Sequence, residues 1–299
     1  MLSALAHQGS GAHTGLWSHW STDPLVLVGL GVVALTYQRG SHGRRRPSPG
    51  RVRSLWLGLL AVAVALVSPL DALAGDLASA HMVQHVLLVV VAAPLLVLSA
   101  PIAHLIGGSP PALRSWLRRA HRAARRSPVL EQLRRPGVAW FLHAGTLWFW
   151  HAAVPYGGAL EHDAIHAGEH ATFLVTALFF WSSVLRAGAA RRVSEGYAAL
   201  LVFTMAMQGV FLGALLTFAS SAWYDGYRET TAAWGLDPVA DQQLAGVIMW
   251  VPAGFVYVAA GIALVARWSR VTGGAGTGHP ADDWSGGGLP ERARVSRVR

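Results

Sequence analysis

The stretch YAALLVFTMAMQGVFLGALLTFASSAW, residues 197–223, carries no charged residue, and QQLAGVIMWVPAGFVYVAAGIALVA, residues 242–266, repeats the feature. A helix needs about 20 mostly apolar residues to cross a bilayer core, and both stretches exceed that. Working outward, seven segments approach or meet the requirement: 18–38, 54–71, 77–103, 137–154, 163–186, 196–219 and 241–267. The first is the weakest, because its clean core from Pro24 to Gln38 is short. No segment alternates with a period of two, which argues against a β-barrel. The fold class expected is therefore all-α: a polytopic seven-transmembrane-helix bundle. Composition agrees, since 53% of the 299 residues are hydrophobic and only 13% are charged, against about 25% charged in an average soluble domain. So few charges cannot coat a soluble globule of this length, and a soluble enzyme is excluded.

The net charge is +9, from 24 basic residues, all arginine, and 15 acidic ones. Such a basic chain invites a nucleic-acid reading, but the arginines sit in short segments between apolar blocks, which is how membrane topology is written. The loops 39–53, 104–136 and 186–195 and the stretch from Arg267 onward are arginine-rich, whereas 72–76 and 155–163 have none and 220–240 has only Arg228. The positive-inside rule then places the N-terminus outside and the C-terminus in the cytoplasm, across a cell membrane. Asp23, Asp71, Asp76, Glu161, Asp163, Asp225, Glu229, Asp237 and Asp241 mirror this on the outer side. The organisation expected is an extracytoplasmic tail (1–17), a membrane domain (18–268) with the basic cytoplasmic loop 104–136, and a disordered cytoplasmic tail (269–299). The tail before Trp20 has no basic residue ahead of the first apolar run, so it does not read as a cleavable signal peptide. With Leu113, Trp116 and Leu117 among its arginines, the 104–136 loop reads either as a solvated loop or as an amphipathic helix on the anionic inner leaflet. The chain has no cysteine, which excludes thiolate metal sites, disulfides and iron–sulfur clusters.

Fourteen histidines are many for a membrane protein. His81 and His85 open the third span, and His162, His166 and His170 open the fifth, both spans entering from outside. His151 ends the fourth span on the same side, with His143 two turns deeper. Residues at i and i+4 share a helix face about 6 Å apart, so His81/His85 and His166/His170 are each a pair on one face. At about 1.5 Å of rise per residue, His85 and His170 reach comparable depths. Imidazoles so placed suit copper, zinc, iron or nickel, and polar groups inside a membrane usually mark a site or a pathway. The blander reading is interhelical hydrogen bonding or a proton relay, and for His143 alone it is the better one. His7, His13 and His19 read as parts of a mobile tail. Met82, Met205, Met207 and Met249 add thioethers, which favour Cu(I), although core packing is the commoner reason for methionine in a helix.

Several polar features have local explanations. His166-Ala-Gly-Glu169-His170 has the H-x-x-E-H form of a zinc hydrolase, yet such a site needs a further ligand and an open water position. Asp237-Pro238 fits a helix N-cap followed by proline; Asp241 caps in its place or reaches toward the histidines. Gly209 and Gly213 make a close-packing G-x-x-x-G face with Gln208 beside it. Pro94 and Pro252 are expected to kink their helices, and Trp17, Trp20, Trp148, Trp150 and Trp223 read as an interfacial belt.

Three blocks resemble a known family. They are His81-Met82-Val83-Gln84-His85 with Leu87-Leu88 and Ala93-Pro94-Leu95-Leu96; Trp150-His151 with Pro155-Tyr156, Ala159-Leu160, His166, Glu169-His170 and Phe173; and Asp237-Pro238 with Asp241-Gln242-Gln243-Leu244-Ala245-Gly246, Met249-Trp250 and Pro252. Together they resemble the CtaG-type cytochrome c oxidase assembly factors, the polytopic branch linked to caa3-type oxidases, over roughly 20–268. The resemblance implies a non-enzymatic role in maturing a haem–copper oxidase, with copper, as Cu(I), handled on the outer side. By motif, His81, His85, His151, His166 and His170 become the candidate ligands. His162, His143, Glu169, Asp241, Met82 and Met249 stand as possible supports. The partners implied are oxidase subunits and membrane lipid, with an oligomer possible and nucleic acid absent. The long arginine-loaded loop and the histidine-bearing tail depart from the family pattern. Three other readings stay open: a haem-binding electron carrier, an intramembrane zinc hydrolase, and a scaffold without metal.

Overall fold

Asp23 turns the chain into its first helix. Its Oδ1 accepts from the Leu25 amide at 2.7 Å, with Pro24 in the first helical position, where a missing N–H costs nothing. The computed structural model describes residues 20–43, 46–185 and 194–274. Among the described residues every regular element is helical: α1 (Pro24–Ser41), α2 (Pro49–Leu66), α3 (Leu70–Asp76), α4 (Ala78–Ser99), α5 (Ile102–Gly108), α6 (Pro111–Arg126), α7 (Pro128–Leu133), α8 (Pro136–His151), α9 (Ala153–Glu161), α10 (Asp163–Leu185), α11 (Glu195–Thr217) and α12 (Pro238–Gly274), with 3₁₀ turns at Asp225–Tyr227 and Thr231–Trp234.

A helix stands at each of the seven expected positions, and four of them, α2, α4, α11 and α12, are long and apolar enough to cross a membrane. Of the others, α8 has 16 residues, about 24 Å at 1.5 Å per residue, and α10 carries Asp163 and Glu169 in its first turns. α12 continues past residue 268, the expected end of the membrane domain, to Gly274. His7, His13, His19, the arginines at 186–192 and the tail from 275 onward lie outside the described residues.

α4 is the most enclosed of the four long helices, packed by α2, α3, α10 and α12. Its middle, Leu87–Ala92, is π-helical. There the Ala93 amide bonds to the Leu88 carbonyl, and residue 94 is a proline with no N–H, so the Val89 carbonyl has no backbone donor. Trp181 of α10 supplies one, its indole Nε1 donating to Val89 O at 2.9 Å. The core around this bond includes Phe173, Phe180, Trp181, Met205 and Tyr257.

α11 and α12 form the most extensive helix pair, but not along the expected Gly209/Gly213 face. Gly213 packs against Gly246: a Cβ on Gly213 would stand 2.7 Å from Trp250 Cδ1 and one on Gly246 would stand 2.6 Å from Gly213 O, while Gly209 has open space beside it. The carbonyl of one helix thus rests against the bare Cα of the other. Gln208 makes its interhelical bond to α8 instead, accepting from Trp148 Nε1 at 2.9 Å.

The loops 67–77, 152–162 and 218–237 gather at one end of the bundle. Tyr227 donates to Ala74 O at 2.9 Å, Thr230 to Asp76 O at 2.8 Å and Tyr224 to His151 O at 3.0 Å. Gln242 and Gln243 of α12 tack the last loop down by donating to Ser221 O and Ala219 O. This is the acidic end. The opposite end carries α5 to α7 and their arginines. The segment 104–136 is helical over much of its length: Pro111–Arg126 is one helix with no buried residue. Large apolar side chains such as Val32, Phe203, Phe211, Phe255 and Ile262 face outward along the bundle's flanks.

Candidate functional site

Beneath the acidic end, α4 and α10 face each other with their histidine pairs. Asp241 of α12 sets the start of α4: its two carboxylate oxygens accept from the amides of Ala78 (2.7 Å) and Ser79 (3.2 Å). Asp241 therefore does not reach toward the histidines as a ligand. It is spent on the orphan donors of the helix that carries two of them. Asp237 caps α12, accepting from Val239 and Ala240.

One turn into α4, His81 and His85 lie on one face with their rings 4.5 Å apart. The carboxylate of Glu169 reaches across from α10, with Oε2 at 3.3 Å from His81 Nε2 and Oε1 at 3.4 Å from His85 Nε2. Ligand atoms of His81, His85, Glu169 and His170 all fall within 4.8 Å of one another. The four side chains are buried, His81 and Glu169 completely.

The hydrogen bonds fix which nitrogens are available. The Tyr227 hydroxyl spends its proton on Ala74 O, so it accepts from His81, whose Nδ1 lies 3.1 Å away. Burial raises the Tyr227 hydroxyl well above the ordinary phenol range, so it keeps that proton. His81 Nε2 is then a bare lone pair facing a carboxylate oxygen. None of His81 Nε2, either nitrogen of His85, His166 Nε2, His170 Nε2 or either oxygen of Glu169 has a hydrogen-bond partner. Buried polar atoms are nearly always paired, and each orphan costs about 1–3 kcal/mol. Buried imidazole nitrogens and carboxylate oxygens converging without hydrogen-bond partners form a set that a cation completes.

The other expected residues fall into two groups. His166 stays with the cluster, its ring 5.1 Å from His81 and 4.3 Å from His170, and it is half-buried on the side toward the surface. His151 stands behind His85 at a ring distance of 5.8 Å, its Nδ1 donating to Leu147 O at 2.7 Å and its Nε2 unpartnered. His162 is exposed at the turn between α9 and α10, and the helical register from His166 does not extend back to it because α10 begins at Asp163. His143 lies deeper, donating through Nδ1 to Thr176 and stacked on Phe180. Met82 and Met249 are buried in the apolar packing beside the cluster.

The sequence offered Tyr156 only as part of a family block, with no role at the site, and did not single out Tyr224 or Tyr227. Tyr156 stacks on Tyr224 at 3.8 Å and lies against His81 at 5.1 Å, closing the site from above. The only hint was aromatic content in an otherwise polar loop, with Trp223, Tyr224 and Tyr227 close together.

The chain is 28% identical over 270 residues to an uncharacterized protein of Mycobacterium bovis and equally to one of Mycobacterium tuberculosis; each match covers 84% of this chain. It spans only 39% of the length of those curated relatives. No solved structure matches it. The family model described as cytochrome c oxidase caa3 assembly factor matches residues 27–271, which takes in every helix from α1 to α12 and all four clustered side chains, and the chain belongs to that family.

Proposed function

We propose that this chain binds copper, as Cu(I), at His81, His85, Glu169 and His170 and passes it to a subunit of a haem–copper oxidase during assembly, without catalysing a reaction. The observation that carries the reading is the convergence of those four side chains, with His81 Nε2, both His85 nitrogens, His170 Nε2 and both Glu169 oxygens buried and unpaired. Imidazole suits copper. One carboxylate beside one monovalent ion leaves no net charge, which lowers the cost of holding the ion away from water. The arginine distribution assigns the acidic end to the extracytoplasmic side of a bacterial cell membrane, and the apolar flanks face lipid across seven spans. His166, half-buried at the surface side of the cluster, is the first imidazole an arriving ion meets. His151 stands ready behind the cluster.

Two other readings fit the geometry less well. A hydrolase needs an open coordination position and a glutamate held back to activate water, whereas Glu169 is fully buried and stands among the histidines. A haem needs a pocket of several hundred Å³; the imidazole rings stand 4.3–5.8 Å from one another, which leaves no room for a porphyrin between them.

The test is metal content of purified, copper-loaded protein against the His81→Ala/His85→Ala variant. Retained copper in the wild type and its loss in the variant supports the reading. Negligible copper in both leaves a metal-free scaffold.

A further inference from the structure

Beside the cluster, α4, α8, α10, α11 and α12 line a half-open cavity of about 50 Å³, room enough for a water-sized guest. Met82, Met205 and Met249 line it together with His85, His143 and His151, and all six side chains are buried. Three of the chain's five methionines thus meet around one void, from three different helices. Met207, two residues from Met205, is 42% exposed on the opposite face of α11.

The imidazoles around this void are held with lone pairs to spare. His151 donates through Nδ1 to a carbonyl, so its unpartnered Nε2 is an acceptor. The Thr176 hydroxyl donates to Thr172 O, so His143 Nδ1 must donate to Thr176, leaving His143 Nε2 an acceptor too. His85 has neither nitrogen engaged and borders both the cavity and Glu169. The lining offers acceptors and thioethers and no carboxylate.

We propose that this cavity is a second soft-metal site, adjoining the first through His85 and taking a monovalent soft cation such as cuprous or silver ion. Thioether and imidazole are the ligands such ions prefer. With every ligand neutral, a monovalent ion is favoured over a divalent one, because the cost of burying charge grows steeply with charge. His85, common to both sites, lets cargo pass inward by ligand exchange, with no change of oxidation state. This inference rests on the copper-binding reading above and assigns that function a second station adjoining the first at His85.

The experiment loads the purified full-length protein with Ag(I) and counts silver per chain by elemental analysis after desalting. Four proteins are compared: wild type, Met205→Leu/Met249→Leu, Met207→Leu and His81→Ala/His170→Ala. Leucine keeps volume and apolarity, so the core persists. The expected result is that the Met205/Met249 variant loses about one silver ion per chain while Met207→Leu matches wild type. The His81/His170 variant keeps an ion whose X-ray absorption spectrum contains sulfur scatterers. Unchanged silver in the Met205/Met249 variant, or a spectrum with only nitrogen and oxygen neighbours, overturns the inner site while leaving the outer one standing. Wild type that retains neither silver nor copper sinks both. The sulfur signal in the wild type is read without any substitution, so a misfolded variant does not blunt the test.

Discussion

His81 owes the free lone pair on its Nε2 to a hydroxyl 146 residues away. Because Tyr227 gives its proton to Ala74 O, it must accept from His81 Nδ1, and that leaves Nε2 free on the side of Glu169. Groups that orient a ligating histidine in this way are worth about 10–100-fold in metal affinity. Tyr227→Phe should therefore weaken copper binding by roughly tenfold or more in a competition titration, with the helical content of the protein unchanged. An affinity equal to wild type would show that the ring is held by packing alone. At this level the histidines were legible from spacing, since His81/His85 and His166/His170 each recur one helical turn apart. Glu169 stood in the sequence as a support; its two oxygens prove to face two histidines of another helix. Tyr227 had no such signal, because nothing in a loop sequence says which ring nitrogen its hydroxyl will meet.

The helices depend on groups borrowed from one another. α4 begins at Ala78 without a side-chain cap of its own, and Asp241 of α12 serves its first two free amides. Removing a cap costs about 0.5–2 kcal/mol. Asp241→Ala should lower the midpoint of thermal unfolding in detergent and loosen copper binding, because both histidines of α4 sit within two turns of that end. Asp241→Asn keeps one of the two acceptors and should recover part of the loss; equal damage from both would mean that the carboxylate's charge or its second bond, not a single capping bond, is what matters. The π-helical segment shows the same dependence. Pro94 removes the backbone donor for Val89 O, and Trp181 restores one, so Trp181→Phe should destabilise the bundle by about 1–3 kcal/mol, the cost of a buried carbonyl left unpaired. Chemical unfolding curves measure this directly. A value near zero would indicate that the segment reverts to regular α-helix when the indole is absent.

The whole molecule is polarised, with acidic loops and tyrosines over the cluster at one end and arginine-bearing helices at the other. Its orientation in the membrane is open to a clean test because the chain has no cysteine. Glu229→Cys, exposed in the 218–237 loop, should react with a membrane-impermeant maleimide added to intact cells. Arg122→Cys, exposed on α6, should react only after lysis. The opposite pattern would place the cluster on the cytoplasmic side and remove the extracytoplasmic delivery role.

Local rules set much of this before any packing is considered. Charge-free runs make helices that cannot stay in water, arginine placement orders the loops, and i, i+4 spacing puts two imidazoles on one face. Those properties belong to short stretches of chain, so they can be read from it. The partners are another matter. Gly213 meets Gly246 rather than completing a motif with Gly209, Asp241 caps a foreign helix, His162 is left outside, and three distant methionines share one void. Each of these depends on how helices rotate and shift against one another, a balance of contacts among residues far apart in the chain, and no local pattern encodes it.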